Sequence, residues 1–419
     1  MVGSTEVNAM GYDGTGTIVA ILDTGFMKAH EAFSVMPTDT KYSRDDIASL
    51  LQSQSLASKV TDADSVYINE KAPYGYDYAN GDADPEAVGQ AHGVHVAGTV
   101  AGNNGKDFHG VAPNAQLMIM KIFGDNSGST SDDIILAGID DAVKLGADSI
   151  NMSLGSPAGF SEDADEKMQV IYERVQDAGI GLYCAAGNEY SSTYQNPAGN
   201  HLPKADEVDN GIVGSPSTYE AALSVASMNN VLSTSAYFTV GDNKIRYNDA
   251  AEQESRQLIS LPGVWEYVDC GVGASADFEG KDVKGKIALI QRGGEENGEA
   301  LSFIQKEANA KKNGAQAMIV YDNVAGELVS MQTSDLIPSV FISRENGELM
   351  VSAGEKELTI SEDFVDQFKD SSSGRMSDFS SWGTTVDLKL KPEITAPGGD
   401  IYSTLPNDLY GNMSGTSMA

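Results

Sequence analysis

The stretch Gly16-Thr17-Ile18-Val19-Ala20-Ile21-Leu22-Asp23-Thr24-Gly25 constrains the fold more than any other part of the chain. An apolar, β-rich run that ends in a carboxylate and a turn reads as a buried parallel strand with Asp23 at its carboxyl end. Open α/β sheets place their sites at that end. Residues 115–122, 147–155 and 180–186 read as further buried strands, while residues 131–145 and 163–179 read as helices. Asp132 and Asp133 suit the first turn of the earlier helix, where the dipole favours negative charge. Strand and helix alternating at this length predict an α/β fold: a doubly wound parallel sheet with helices on both faces.

The stretch Gly411-Asn412-Met413-Ser414-Gly415-Thr416-Ser417-Met418-Ala419 sets a serine among small neighbours that would let a substrate carbonyl approach. By itself such a cluster reads as a turn or helix cap. A helix opening near Ser417 would add N–H groups and a positive dipole end that favour developing negative charge. A serine hydroxyl becomes a useful nucleophile only when a general base takes its proton and a third group orients that base. Five histidines are available: His30, His92, His95, His109 and His201. His92 begins His92-Gly93-Val94-His95-Val96-Ala97-Gly98, whose small residues recur at helical spacing and predict a closely packed helix opening on His92. The acid is then Asp23.

Asp23-Thr24-Gly25, His92 to Gly98, Ala185-Ala186-Gly187-Asn188 and Gly415-Thr416-Ser417-Met418-Ala419 together resemble the four signature blocks of the subtilisin-like serine peptidases, the subtilases. Their order, acid then histidine then serine, agrees as well. The resemblance implies that Ser417 is the nucleophile, His92 the general base, Asp23 its orienting acid and Asn188 the oxyanion donor. It further implies that Ser153, Leu154 and Gly155 pair with the substrate backbone and, with Gly187, bound the first specificity pocket. His30 and His95 become structural and packing residues. Val94 departs from the family's usual threonine, which removes a hydroxyl near His92.

Between about Met228 and Gly374 none of these blocks occurs. A strand and turn at 285–293, a helix at 302–313 and strands at 314–323 and 337–343 are similar to a protease-associated domain. The predicted organisation is a catalytic domain over 1–227, a β-rich insert over 228–375 and a second catalytic part over 376–419, closest to lactocepin-type cell-envelope proteinases. This implies a secreted, cell-wall-associated enzyme acting on polypeptides, with a propeptide and a C-terminal extension in the parent protein. The family continues past its serine with a proline and a buried helix, so a chain stopping at Ala419 is expected to be inactive as such. The chemistry needs no metal or cofactor.

A chain of 419 residues, 41% hydrophobic, buries a large core in two or three domains. Its formal charge of −34 argues against nucleic acid or an anionic membrane as a partner. No apolar run is long enough for membrane insertion. Cys184 and Cys270 make no disulfide framework, and Cys184 reads as a small buried hydrophobe. Residues 34–90 read as a polar surface excursion, in which Asp77, Asp82, Asp84 and Glu86 could hold a structural calcium or, as the spacing favours, remain solvated.

Two other readings compete. Asp23-Thr24-Gly25 is also the aspartic-protease tripeptide, but a matching second carboxylate would have to come from a symmetric dimer. A catalytically incompetent cell-surface scaffold that binds proteins is the non-enzyme alternative.

Overall fold

The computed structural model describes residues 2–125, 127–156, 166–189, 213–251, 254–296, 298–325, 328–329, 331–369, 373–385 and 387–419. His201 and the first residues of the helix expected from 163 lie outside the described residues. The chain forms two units, Met1–Asn230 with Gly374–Ala419, and Val231–Ser373.

The first unit enters through a short exposed helix, α1 (Ser4–Ala9), and reaches β1 (Ile18–Asp23). Side chains of β1 alternate between two cores: Ile18, Ala20 and Leu22 join one apolar cluster and Ile21 the other. A strand apolar on both faces therefore sits inside the sheet, as its composition requires. Next come α2 (Arg44–Ser53), α3 (Ala63–Val66) and β2 (Tyr74–Asp77). Here the structure corrects the sequence reading of a surface excursion, because all four residues of β2 are buried. Tyr74 reaches Ser58 Oγ with its hydroxyl at 3.2 Å, and Asp77 pairs with Lys121 Nζ at 2.7 Å. Polar ends satisfied from elsewhere in the chain let this segment go inside.

After α4 (His92–Ala101) the chain alternates regularly: β3 (Gln116–Lys121), α5 (Asp132–Lys144), β4 (Ser149–Met152), α6 (Glu166–Asp177), β5 (Gly181–Ala185) and β6 (Leu223–Asn229).

The second unit carries β7 (Ser233–Val240), β8 (Asn243–Arg246), β9 (Asn248–Asp249), β10 (Gly263–Asp269), β11 (Ile287–Gln291), the short hairpin β12 (Glu295–Glu296) and β13 (Glu299–Ala300), α7 (Phe303–Lys312), β14 (Ala317–Tyr321), β15 (Ser339–Ile342), α8 (Arg344–Ser352), β16 (Glu357–Ile360) and β17 (Val365–Phe368). Its sheet is mixed, in the order β17-β7-β16-β10-β11-β14-β15-β9, with β8 paired to β7. Ile287 and Leu289 of β11 face one core, and Ala288 and Ile290 the other.

The chain then returns to the first unit with β18 (Ile394–Gly399), β19 (Ile401–Leu405) and β20 (Leu409–Met413). The main sheet runs β18-β6-β5-β4-β1-β3-β2, every neighbouring pair parallel. Residues of α2, α5 and α6 pack with one face, and residues of α4 with the other. This is the doubly wound sheet the alternation predicted. No helix among the described residues is long and apolar enough to cross a membrane. Both cysteines are buried and unpaired.

Candidate active site

Asp23 ends β1 and is 1% exposed. Its Oδ1 accepts the Thr24 N–H at 2.7 Å and stands 2.8 Å from His92 Nδ1. A carboxylate at that distance requires the proton on Nδ1, which leaves the Nε2 lone pair of the partly exposed ring free. Burial opposes charge on His92, but Coulombic attraction to Asp23 and the hydrogen bond that His92 donates to it outweigh that, so the imidazole titrates above its ordinary value. The approach of α4 to this loop depends on Gly93, since any Cβ there would collide with Gly25 O. Thr24 Oγ1 accepts the Gly93 N–H at 2.9 Å and ties the helix start to the acid's own loop. Val94, which stands where threonine is usual in the subtilase pattern, is wholly buried.

Ser417 follows the β19–β20 hairpin. Gly415 to Met418 form a turn, closed by the Met418 N–H on Gly415 O at 3.1 Å. Ser417 Oγ donates to Ser153 O at 3.2 Å, and Ser153 Oγ donates to Ser417 O at 2.7 Å. The serine is thus docked on the residue that follows β4, and no hydrogen bond joins its hydroxyl to His92. Gly155 lies further along the same edge, where a Cβ would approach Ser215 O to 2.9 Å. Next to Gly155, Ser156 and Ser215 exchange main-chain bonds of 2.9 and 3.0 Å. Leu154 is half-buried against the larger core.

Gly187 and Asn188 emerge from the carboxyl end of β5. Gly187 has φ +110°, a conformation open to glycine but strained for other residues, and a Cβ there would also strike Glu189 and Ser381. Asn188 Oδ1 accepts both the Thr416 N–H (2.9 Å) and the Thr416 hydroxyl (3.0 Å), which fixes which way the amide faces. Its NH2 makes no hydrogen bond among the described residues, and neither does the Ser417 N–H. Both nitrogens lie 3.6 Å from the point where a Gly415 Cβ would stand, so two unspent donors flank one small space.

The sequence reading assigned no role to Thr24 or Thr416, although both sat inside the signature blocks. Their signal was a hydroxyl among residues otherwise chosen for smallness. The four acidic residues considered for calcium do not converge: Asp77 is taken by Lys121 and Asn80, and Asp82 and Asp84 accept nearby main-chain N–H groups. No group of three or more His, Cys, Asp or Glu placed to hold a metal ion occurs among the described residues.

A family model described as "Subtilase family" matches residues 14–419. The C5a peptidase of Streptococcus pyogenes is 33% identical over 421 residues, spanning 97% of this chain and 34% of its own length. The PII-type proteinase of Lacticaseibacillus paracasei is 33% identical over 450 residues, spanning 97% of this chain and 22% of its own. The chain therefore spans about a third or less of the curated relatives it matches. Among solved structures, a psychrophilic subtilisin-like protease from Pseudoalteromonas sp. AS-11 matches with a TM-score of 0.44 and 20% identity, over 100% of this chain and 84% of that one.

Proposed function

The chain belongs to the subtilase family, and from that premise we propose that it acts as a serine endopeptidase on polypeptide substrates. Ser417 is the nucleophile, His92 the general base and Asp23 the acid that holds its tautomer. An extended substrate pairs with the Ser153–Gly155 edge. A substrate N–H that takes Ser153 O displaces the Ser417 hydroxyl from that carbonyl and frees it to donate to His92 Nε2. The hydroxyl then attacks the scissile carbonyl while its proton passes to Nε2, and Asp23 stabilises the imidazolium. Charge on the carbonyl oxygen falls between Asn188 Nδ2 and the Ser417 N–H. His92 returns the proton to the leaving amine, and water, deprotonated by His92 in turn, releases the acyl group. The same reading takes residues 228–375 as a protease-associated insert that restricts access or recruits substrate, and puts the full protein outside the cell, at the envelope.

The observation that carries this proposal is the buried carboxylate–imidazole contact of 2.8 Å between Asp23 and His92. Fluorophosphonate labelling of the full-length protein tests it. Ser417→Ala is expected to abolish labelling and proteolysis while the fold persists; the equivalent loss in subtilisin is about a million-fold in kcat. Asn188→Leu should keep the labelled serine but cut turnover by about 100- to 1000-fold, as donor removal does in subtilisin. Labelling that persists in Ser417→Ala, or that is absent from folded wild type, sinks the proposal.

A further inference from the structure

Two buried imidazoles outside the proposed chemistry both bond to the hairpin that carries Ser417. His95 lies one turn beyond His92 on α4 and is fully buried. Its Nε2 meets Ile401 O at 2.9 Å on β19 and Gly411 O at 3.3 Å on β20, bridging the two strands. Both acceptors are carbonyls, so Nε2 carries the proton. Burial lowers the His95 pKa to about 3, which keeps the ring a neutral, single donor.

His30 stands on the loop that leaves Asp23 and is 1% exposed. Its Nδ1 accepts the Ala32 N–H at 3.1 Å, so Nε2 again holds the proton and gives it to Leu409 O of β20 at 3.0 Å. The hairpin returns the bonds to α4. Thr404 Oγ1 donates to Val94 O at 2.7 Å, and Ser403 Oγ to His95 O at 2.8 Å. Gly98 permits this approach, because a Cβ there would collide with Thr404 Oγ1.

Little slack remains between hairpin and nucleophile. The Asp400 N–H donates to Ser414 Oγ at 2.9 Å, the Gly415 N–H to Gly398 O at 2.8 Å, and Thr416 is held by Asn188. Hence the segment bearing the acid, the helix bearing the base and the hairpin bearing the serine are joined through the side chains of His30, His95, Ser403 and Thr404.

We propose that His30 and His95 are positioning residues that latch the Ser417 hairpin to the Asp23 loop and the His92 helix, and so set the spacing of base and nucleophile. This rests on the assignment of Asp23, His92 and Ser417 made above. Misplacement of reacting groups by about 1 Å can cost about 100-fold in rate, and a latch that releases should act on the chemical step alone.

The test measures kinact and KI for a small fluorophosphonate on the full-length protein. His95→Leu removes the donor. It is expected to lower kinact by about 10- to 100-fold with KI unchanged, and His95→Gln, whose amide can donate to Ile401 O, should recover most of the loss. Gly98→Ala, which pushes the seam apart without deleting any donor, should show the same kinact signature. A folded His95→Leu with kinact within about twofold of wild type, a change in KI alone, or a His95→Gln no better than His95→Leu would each overturn the latch. If His95→Leu fails to fold, Thr404→Val and Gly98→Ala decide by the same criteria: kinact reduced at constant KI supports the latch, and wild-type kinact overturns it. Wild-type protein without Ser417-dependent labelling removes the site assignment itself, and the latch with it.

Discussion

In the first unit a buried carboxylate, Asp23, faces an imidazole whose far side reaches solvent; in the second, two buried charges on α7 face only main chain. Lys306 Nζ donates to the carbonyls of Val272, Gln291 and Gly293, and the Glu307 carboxylate accepts from the N–H groups of Ser334, Leu336 and Ile337. Both residues are fully buried. Main-chain groups do not titrate, so neither residue has a partner with which to share a proton, even though desolvation lowers the Lys306 pKa to about 8, and both hold loops in place. His92 can gain and lose a proton while keeping its partner. Burial of charge alone does not mark a site; what matters is whether the partner can change protonation state and reach a ligand.

The sharpest way to break this contrast is Asp23→Asn. It should reduce turnover by about 10,000-fold, near the loss seen for the corresponding acid in subtilisin, with little change in fold. It should also move the pH profile. Activity requires neutral His92, so the wild-type rate climbs as pH rises through the raised His92 pKa, and the inflection should shift downward once the carboxylate is gone. Stability runs the other way. The folded pKa of His92 lies above its unfolded value, so the pair's contribution is complete below the unfolded value and is lost as pH rises through the folded one. An unshifted rate profile in Asp23→Asn would show that the carboxylate does not tune the base.

Glu307→Gln examines the other side. The amide oxygen can keep the Leu336 and Ile337 N–H groups, but the NH2 would confront the Ser334 N–H that the second carboxylate oxygen now accepts, so the second unit should lose about 2–3 kcal/mol of unfolding free energy. Fluorophosphonate labelling of Ser417 should not change. Loss of labelling without loss of stability would mean that the insert's buried charges serve the chemistry after all.

The proposed site was legible in the sequence to the extent that its chemistry is written locally. Asp23 needed a strand end, His92 a helix start among small residues, and Ser417 unhindered neighbours, and each requirement shows within a few positions. What escaped depends on distant partners. The strand β2 looked like surface because its tyrosines and Asp77 are polar until Ser58 and Lys121 arrive. His30 reaches Leu409 across 379 residues and His95 reaches Ile401 across 306, so no local pattern could reveal what either imidazole holds. In the second unit, the parallel run β11, β14 and β15 was visible as apolar stretches, whereas β7 interleaves Ser and Thr with its apolar residues and β8, β16 and β17 carry charged or amide side chains.

The smallest expected effect refines the distinction between partners that titrate and partners that do not. Asp249 of the second unit also bonds main chain, accepting from Leu258 N–H at 2.8 Å and Ala251 N–H at 3.0 Å. Desolvation nevertheless outweighs those bonds and raises its pKa to about 7, with Asp335 adding to the rise. A carboxylate whose folded pKa exceeds its unfolded value stabilises most below the unfolded value, near 4, and loses that contribution as pH rises through about 7. Unfolding of the second unit followed between pH 4 and pH 8 should therefore show a decline that Asp249→Asn flattens, with Ser417 labelling untouched. An identical slope in the variant would assign the decline to other groups and leave Asp249 as fixed a structural charge as Glu307.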